Sequence, residues 1–531
     1  MQASPDGPLT HFASPRGEKY RLAQAHMEDT GGWLAENWIP VAILSAFVGL
    51  MVLSAWRANR EPERRPGAIV IALSFYATFL STNTFLGQAG FGYKVGLVWM
   101  LGALVFVVCG WIAWFVIAPR MVRDAHRTLG EGVGLNQVTV PGYLRQKYDS
   151  PLAGYLSAGI IFIASLLYIL AVFKGIGHIF AQILNVSYEI AVLSVFLLVV
   201  VYTSWGMIGA ILHTDTVQGV LMLLGAVVLC GAVAFHADWS LIAHSPDVDA
   251  NGRPLGGDLV SWNALMSPIY VMSLSLGTGI KLIVAPRLVV RFLLFRHAGP
   301  RSLHTAQWLS FGLMAVTIPM LFGLGIMAHG IVPSEQSGYF FRNTDQVVPF
   351  LVEYLFGPAL GALILGAFLC AALSSIDSVL HVAGAALVVD LWAEWKKDMP
   401  LQTVERLQRA SIFLVAALPG WVALDPPADV VPLTAFSGAL FGGCFFAALV
   451  VGLWHEKPRR ASVAVSIFVG ASGVMIWFLL QQAGWVGKEV HPVIVGLSVS
   501  LLAYTLTEYF SAGPPTQLDR GESSTFGDTK H

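Results

Sequence analysis

Apolar stretches of roughly 20 residues or more recur from Trp38 to Phe510, separated by short polar or basic segments. A helix needs about 20 apolar residues to cross the hydrocarbon core. On that basis the pattern predicts thirteen spans, at 36–56, 66–92, 96–119, 152–184, 188–205, 212–235, 262–292, 303–330, 358–390, 406–423, 430–454, 460–482 and 489–510. Residues 1–35 are polar and rich in Pro and Gly, with no cleavable signal, and are expected to start disordered. Met27 is a second candidate initiator within them. Residues 511–531 form a short polar tail.

Composition agrees with the pattern. Of 531 residues, 56% are hydrophobic and 12% charged, against about 25% charged in soluble proteins. The net charge of −1 gives no sign of a nucleic-acid partner. Cys109, Cys230, Cys370 and Cys444 lie in apolar runs and read as small buried hydrophobes. The chain is an all-α integral membrane protein, its partner the lipid bilayer. Lys and Arg collect at 57–65, 120–127, 291–301, 394–398 and 455–460, while 236–261, 331–345 and 422–429 hold few. Basic loops stay cytoplasmic. The N-terminus is therefore expected outside and the C-terminus inside a plasma (inner) membrane.

One stretch breaks the apolar pattern. "STNTFLGQAGFGY", residues 81–93, crowds Ser81, Thr82, Asn83, Thr84 and Gln88 together with Gly87, Gly90 and Gly92. A bland reading is close helix packing, with hydroxyls bonded back to their own backbone. Three glycines behind a polar quartet favour an opened helix instead, and unwound backbone at membrane depth survives only where it lines a cavity or is covered by protein. Discontinuous helices of this kind build ion and solute sites in secondary transporters. Such a transporter needs a second interruption five helices later. Gly277, Thr278 and Gly279 supply one in "SLSLGTGIKLIVAPR" (273–287), with Pro286 weakening the following half. The expected architecture is a 5+5 inverted repeat with broken first and sixth repeat helices. Repeat one runs from about 66 to 235 and repeat two from about 262 to 454, inside a transmembrane domain of 36–510.

The span at 358–390 carries "AALSSIDSVLH", where Ala371, Ser374, Ser375 and Ser378 share one helical stripe beside Asp377. Serines at this spacing also pack helices together. A carboxylate inside a span is costly and usually functional, which favours a cation site built from hydroxyls and carbonyls. Asp215 opens the span at 212–235, where N-capping is an equally good reading.

"STNTFLGQAGFGYKVGLVW" (81–99), "VTVPGYLRQKY" (138–148), "TDTVQGVLMLLG" (214–225) and "AALSSIDSVL" (371–380) together resemble the sodium/solute symporter family, which shares the inverted-repeat fold of the leucine transporter. The likeness spans roughly 40–455, and "FLGQAGFGYKVGLVW" is nearest to the pantothenate and monocarboxylate branch. It implies a principal sodium site of the Ala77, Leu80 and Ala371 carbonyls with the Ser374 and Ser375 hydroxyls. It also implies a second cation site at Asp215, Ser374, Asp377 and Ser378. Asp377 departs there from the serine of some two-sodium members, which leaves sodium, a proton or no ion open.

The expected function is sodium-coupled import of a small organic solute by alternating access, the solute being a carboxylate of monocarboxylate or pantothenate type. Ser81, Asn83, Thr84 and Gln88 would line its pocket from the first break, with Ser275, Thr278 and Lys281 from the second. Phe85 and Phe436 are candidate gates. Lys281 either pairs with a substrate carboxylate, or snorkels or pairs with an intramembrane carboxylate. None of residues 81–84 is acidic, which disfavours a sugar. A proton-coupled carrier of an amino acid such as proline is the alternative, as is a transporter-like sensor working through a separate partner. No catalytic residues, metal-binding motif or phosphate loop are read, so neither an enzyme nor a cofactor is expected beyond sodium as coupling ion. The protein is expected as a monomer or loose homo-oligomer.

Overall fold

Lipid offers no partner for a backbone N–H or C=O, so the apolar stretches close their hydrogen bonds internally as helices. The computed structural model describes residues 30–59, 66–130, 134–205, 208–396, 399–455 and 459–510. Residues 1–29 with Met27, the tail 511–531, and parts of the basic segments 57–65, 394–398 and 455–460 lie outside the described residues.

The first half contains α1 (Thr30–Asn59), α2 (Ala68–Phe79), α3 (Ala89–Val95), α4 (Met100–Trp111), α5 (Ala118–Leu129), α6 (Val140–Tyr148), α7 (Pro151–Leu184), α8 (Tyr188–Trp205) and α9 (Ile208–His236). A short helix α10 (Trp239–Ala243) leads to a hairpin of β1 (Ser245–Val248) and β2 (Pro254–Gly256). The second half contains α11 (Pro268–Gly279), α12 (Lys281–Val284), α13 (Pro286–Leu294), α14 (Pro300–Ala328), α15 (Ser337–Arg342), α16 (Val347–Leu355) and α17 (Pro358–Ala385). It ends with α18 (Leu401–Val422), α19 (Val430–Phe445), α20 (Arg460–Gln482) and α21 (Pro492–Phe510).

Among the described residues, ten helical runs are long and apolar enough to cross a membrane. The other three expected spans are also helical but fall short by that measure. Ala68–Phe79 and Tyr188–Val200 are short, and α18 carries Glu405, Arg406 and Arg409 in its first half. Gly96, at a φ of 74°, turns the chain between the second and third expected spans.

Both interruptions exist, and both are displaced from the glycines. The first opens at Leu80, whose ψ of 88° ends α2 while its N–H still reaches the Tyr76 carbonyl. Helix resumes as a π-turn at Asn83–Gln88 and continues through α3. Gly87, Gly90 and Gly92 therefore sit in helix, where they admit close neighbours. A Cβ on Gly90 would strike the Thr344 carbonyl, and one on Gly92 would reach within 2.8 Å of the Phe322 carbonyl. In the second interruption α11 runs on through Gly277–Gly279 and the chain bends at Ile280. It becomes extended at Ala285, with ψ 128°, because the residue before a proline avoids helix.

Helix α2 packs on α9, α14 and α17, which places the first interruption between the two halves of the chain. Helix α1 leans on α9 and α17, and α20 and α21 pair beside α19. Salt bridges of Lys174 with Asp345 (2.8 Å) and Asp429 (2.9 Å) tie α7 to the turn before α16 and to the start of α19.

Helix α19 crosses α11 at backbone contact, and a Cβ on Gly438 would overlap the Gly277 carbonyl. Gly438→Ala should cost about 1–3 kcal/mol through overpacking, read as a lower melting temperature in detergent. Gly231→Ala, with open space around the added carbon, should leave melting unchanged.

Candidate functional site

Where α2 ends, the last turn of a helix has carbonyls with no following N–H to accept from. Helix α17 meets them with two adjacent hydroxyls. Ser374 Oγ donates to the carbonyls of Ala77 (2.9 Å) and Ala371 (3.0 Å), and Ser375 Oγ donates to that of Thr78 (3.1 Å). Leu80 stands at the opening itself, and all of these residues are fully buried. The donor set is oxygen only, neutral and partly backbone, which suits a hard monovalent cation and no soft metal. The five residues expected for the principal cation are thus brought to one place, with Thr78 added.

The four residues expected for a second cation divide three ways. Asp377 is held by Thr203 of α8, whose hydroxyl donates to its Oδ1. Ser374 serves the carbonyls of α2. Asp215 and Ser378 instead share Arg291 of α13. The Arg291 guanidinium lies 2.7 Å from Asp215 Oδ2 and donates to Ser378 Oγ (2.9 Å), Ser74 Oγ (2.8 Å), Thr78 Oγ1 and the Arg287 carbonyl. Ser74 also donates to Asp215 at 2.7 Å. Arg291 is 1% exposed and Asp215 0%, so Arg291 is a buried residue of the site and no part of a cytoplasmic basic loop. Its signal in the sequence was the Arg287/Arg291 pair four residues apart on one helix face directly after Pro286.

Around the two interruptions, Asn83 Oδ1 accepts from Thr434 Oγ1 (2.7 Å) and Gln88 Nε2 (3.3 Å). Ser81 Oγ accepts the Asn83 N–H at 3.2 Å. Lys281 Nζ donates to the Thr434 carbonyl (2.9 Å) and lies 5.0 Å from the centre of the Tyr168 ring. Asn83, Gln88, Thr434 and Lys281 therefore form one connected polar wall. Thr84 Oγ1, Gln88 Oε1, Ser275 Oγ and Thr278 Oγ1 are buried without hydrogen-bond partners among the described residues. Ser275 faces Gly102 of α4, where it crowds any added Cβ. Phe85 is buried against Phe368 of α17 at a ring separation of 4.6 Å. Phe436 instead packs on Phe478 of α20 at 4.6 Å, a contact outside the repeat.

Two residues missed in the sequence complete this region. The Arg287 guanidinium lies 4.1 Å from the centre of the same Tyr168 ring, on the side chain of a residue in α7. Its Nε and Nη2 make no hydrogen bond among the described residues, and neither does the Tyr168 hydroxyl.

The family model described as "Sodium:solute symporter family" matches residues 62–470. The chain belongs to this family. It is a membrane transporter and not an enzyme, with sodium as its coupling ion. It is 25% identical to the osmoregulated proline transporter OpuE of Bacillus subtilis (strain 168), over 87% of this chain and 93% of that one. It is likewise 25% identical to the sodium/pantothenate symporter of Escherichia coli (strain K12), over 85% of this chain and 90% of the relative. A Na+-coupled sialic acid symporter, solved in a substrate-bound outward-open state, superposes with a TM-score of 0.68 at 18% identity. That match covers 90% of this chain and 99% of the other. At that identity the likeness is one of fold: the inverted-repeat transporter with two broken helices.

The Asp215–Arg291 pair allows a direct test in this symporter. Removing one partner of a buried pair typically costs about 3–5 kcal/mol, because the other charge is stranded. Asp215→Asn and Arg291→Met should each lower the melting temperature of the purified protein sharply. The double variant should melt above the sum of the two losses, as a double-mutant cycle would show.

Proposed function

We propose that this symporter imports a small organic carboxylate together with sodium, the ion binding at Ala77, Leu80, Ala371, Ser374 and Ser375. The observation that carries the carboxylate is the pair of buried basic side chains on one tyrosine ring. Lys281 and Arg287 flank Tyr168, and among the described residues neither forms an ion pair. A buried charge is expensive unless paired, and a guanidinium with two unused donors matches a carboxylate better than a sugar hydroxyl. Asn83, Thr84, Gln88 and Thr278 supply neutral polar contacts for the remainder of the solute. Pantothenate, carried by relatives named for it, is a carboxylate with amide and hydroxyl groups that suit this wall.

Proline, the cargo named for other relatives, is the second reading. It offers the same carboxylate but adds an ammonium, which needs acceptors. Asn83 Oδ1 already accepts two hydrogen bonds, whereas Gln88 Oε1 and the Thr84 and Thr278 hydroxyls make none among the described residues and could receive it.

Sodium at the opening of α2 would hold α2 against α17 and order the polar wall beside it, so that ion and solute bind cooperatively. Release follows when the cytoplasmic half opens toward low sodium. The membrane potential adds about 2.3 kcal/mol per net charge per 100 mV. The basic segments support an N-terminus outside and a C-terminus in the cytoplasm.

In proteoliposomes with an inward sodium gradient, labelled pantothenate and short monocarboxylates should accumulate ahead of glucose. Arg287→Gln should weaken uptake at low solute by about 10- to 100-fold, the worth of a hydrogen bond to a charged group. Accumulation of proline alone, unaffected by Arg287→Gln, would favour the second reading.

A further inference from the structure

We infer that His491, just before α21, is a positioning residue of the solute site, fixing the outer half of the second broken helix against α19 and with it Thr278 and Lys281. This rests on the solute reading of that polar wall, from which its test is kept distinct.

Gly277 gives α11 no side chain three residues before the bend at Ile280, and two other elements arrive there. A Cβ on Gly277 would lie 2.7 Å from His491 Cε1, 2.8 Å from His491 Nδ1 and 3.2 Å from the Ala435 carbonyl oxygen of α19. The imidazole, 8% exposed, therefore rests directly on the backbone of α11, opposite α19. The same segment grips α11 one turn earlier. The His491 N–H donates to Ser273 Oγ (3.3 Å), and Ser273 Oγ donates to the Glu489 carbonyl (3.2 Å). At the bend itself, Ile280 and Val493 meet at Gly442 of α19, each with a methyl carbon 3.1 Å from where a Cβ would stand. The approach to α21 and its first turn thus follow α11 from Ser273 to the break.

A wedge positions its neighbour only if it is itself held. Gly496 of α21 lies against Gly443 of α19, where an added Cβ would come within 3.3 Å of the Gly443 Cα. A Cβ on Gly470 of α20 would overlap the Gly443 carbonyl, so the three helices pack at backbone contact. Nδ1 of His491 accepts the Val493 N–H at 3.4 Å, in the manner of an N-cap side chain. What α11 carries next is the wall: Thr278 follows Gly277 directly, and Lys281 Nζ donates to the carbonyl of Thr434, the neighbour of Ala435. Without the ring a void opens behind Gly277, and α11 is free to tilt into it, away from Asn83 and Thr434. Solute contacts then have to be made against that freedom, which weakens binding. Helix α21 begins at Pro492, past residue 470 where the family match ends, so a helix beyond the matched residues serves the solute site.

The test measures initial uptake of labelled pantothenate and of labelled proline into proteoliposomes with an inward sodium gradient, normalised to folded transporter. For the solute that the unmodified chain accumulates, His491→Ala and His491→Asn should each raise KM about tenfold and leave Vmax within about twofold. Asparagine keeps an acceptor for the first turn of α21, so His491→Asn should melt with the unmodified chain and still show the raised KM. An unchanged KM in His491→Asn overturns the inference, because the residue is then a helix cap only, and this variant decides the matter if His491→Ala does not fold. Uptake of proline without pantothenate defeats the pantothenate reading, while the KM comparison is made on proline. If neither solute is taken up, the purified protein carrying Thr278→Cys decides. A charged maleimide should label that cysteine about tenfold faster when His491→Asn is added, and equal rates overturn the inference.

Discussion

Carbonyls at the end of a helix buried in a membrane protein need a partner, and most of this architecture follows from how α2 finds one. Its end at Leu80 leaves backbone oxygens inside the protein, where water cannot reach them freely. Ser374 and Ser375 of α17 supply hydroxyls to Ala77, Thr78 and Ala371. The bonds to Ala77 and Thr78 join residues 297 positions apart, one from each half of the chain. A hydroxyl can turn its proton away and offer a lone pair to a cation, whereas an apolar side chain can do neither. The contact that satisfies the backbone is therefore also the one that can exchange it for an ion.

Charge is distributed around this contact in two ways. On one side, Arg291 and Asp215 cancel within the protein and bind α13, α9, α2 and α17 into a neutral cluster. Toward α7 and α19, Lys281 and Arg287 face a tyrosine ring and a backbone carbonyl, with no carboxylate in an ion pair with either among the described residues.

Much of this was legible in the sequence because the membrane imposes strong rules. The apolar spans, the two interruptions and the polar stripe of α17 each follow from a lipid-facing helix being unable to hide a polar group cheaply. The glycines were misleading. Gly90 and Gly92 admit neighbouring backbone and Gly87 the Val430 and Val431 side chains, while the opening itself falls on Leu80, whose side chain gives no warning. Gly277 admits the His491 ring and the Ala435 carbonyl, and Ala285 is extended because of the proline that follows it. Arg291 was hidden for a different reason. Counting basic residues at span ends groups it with a cytoplasmic loop, and only the folded chain brings it to Asp215, 76 positions away. The role of Asp215 beyond capping was open for the same cause, since a long-range partner leaves no local pattern.

The most direct measurement on the ion site is the melting temperature of the purified transporter in sodium and in potassium at matched ionic strength and pH. A ligand that binds only the folded state adds RT ln(1 + [L]/Kd), about 2.7 kcal/mol at a hundredfold excess over Kd. The account predicts a rise specific to sodium that disappears in Ser375→Ala, where one hydroxyl is lost and α17 is otherwise intact. Equal melting in the two salts, with stability following pH instead, would contradict it and point to a proton as the coupling ion.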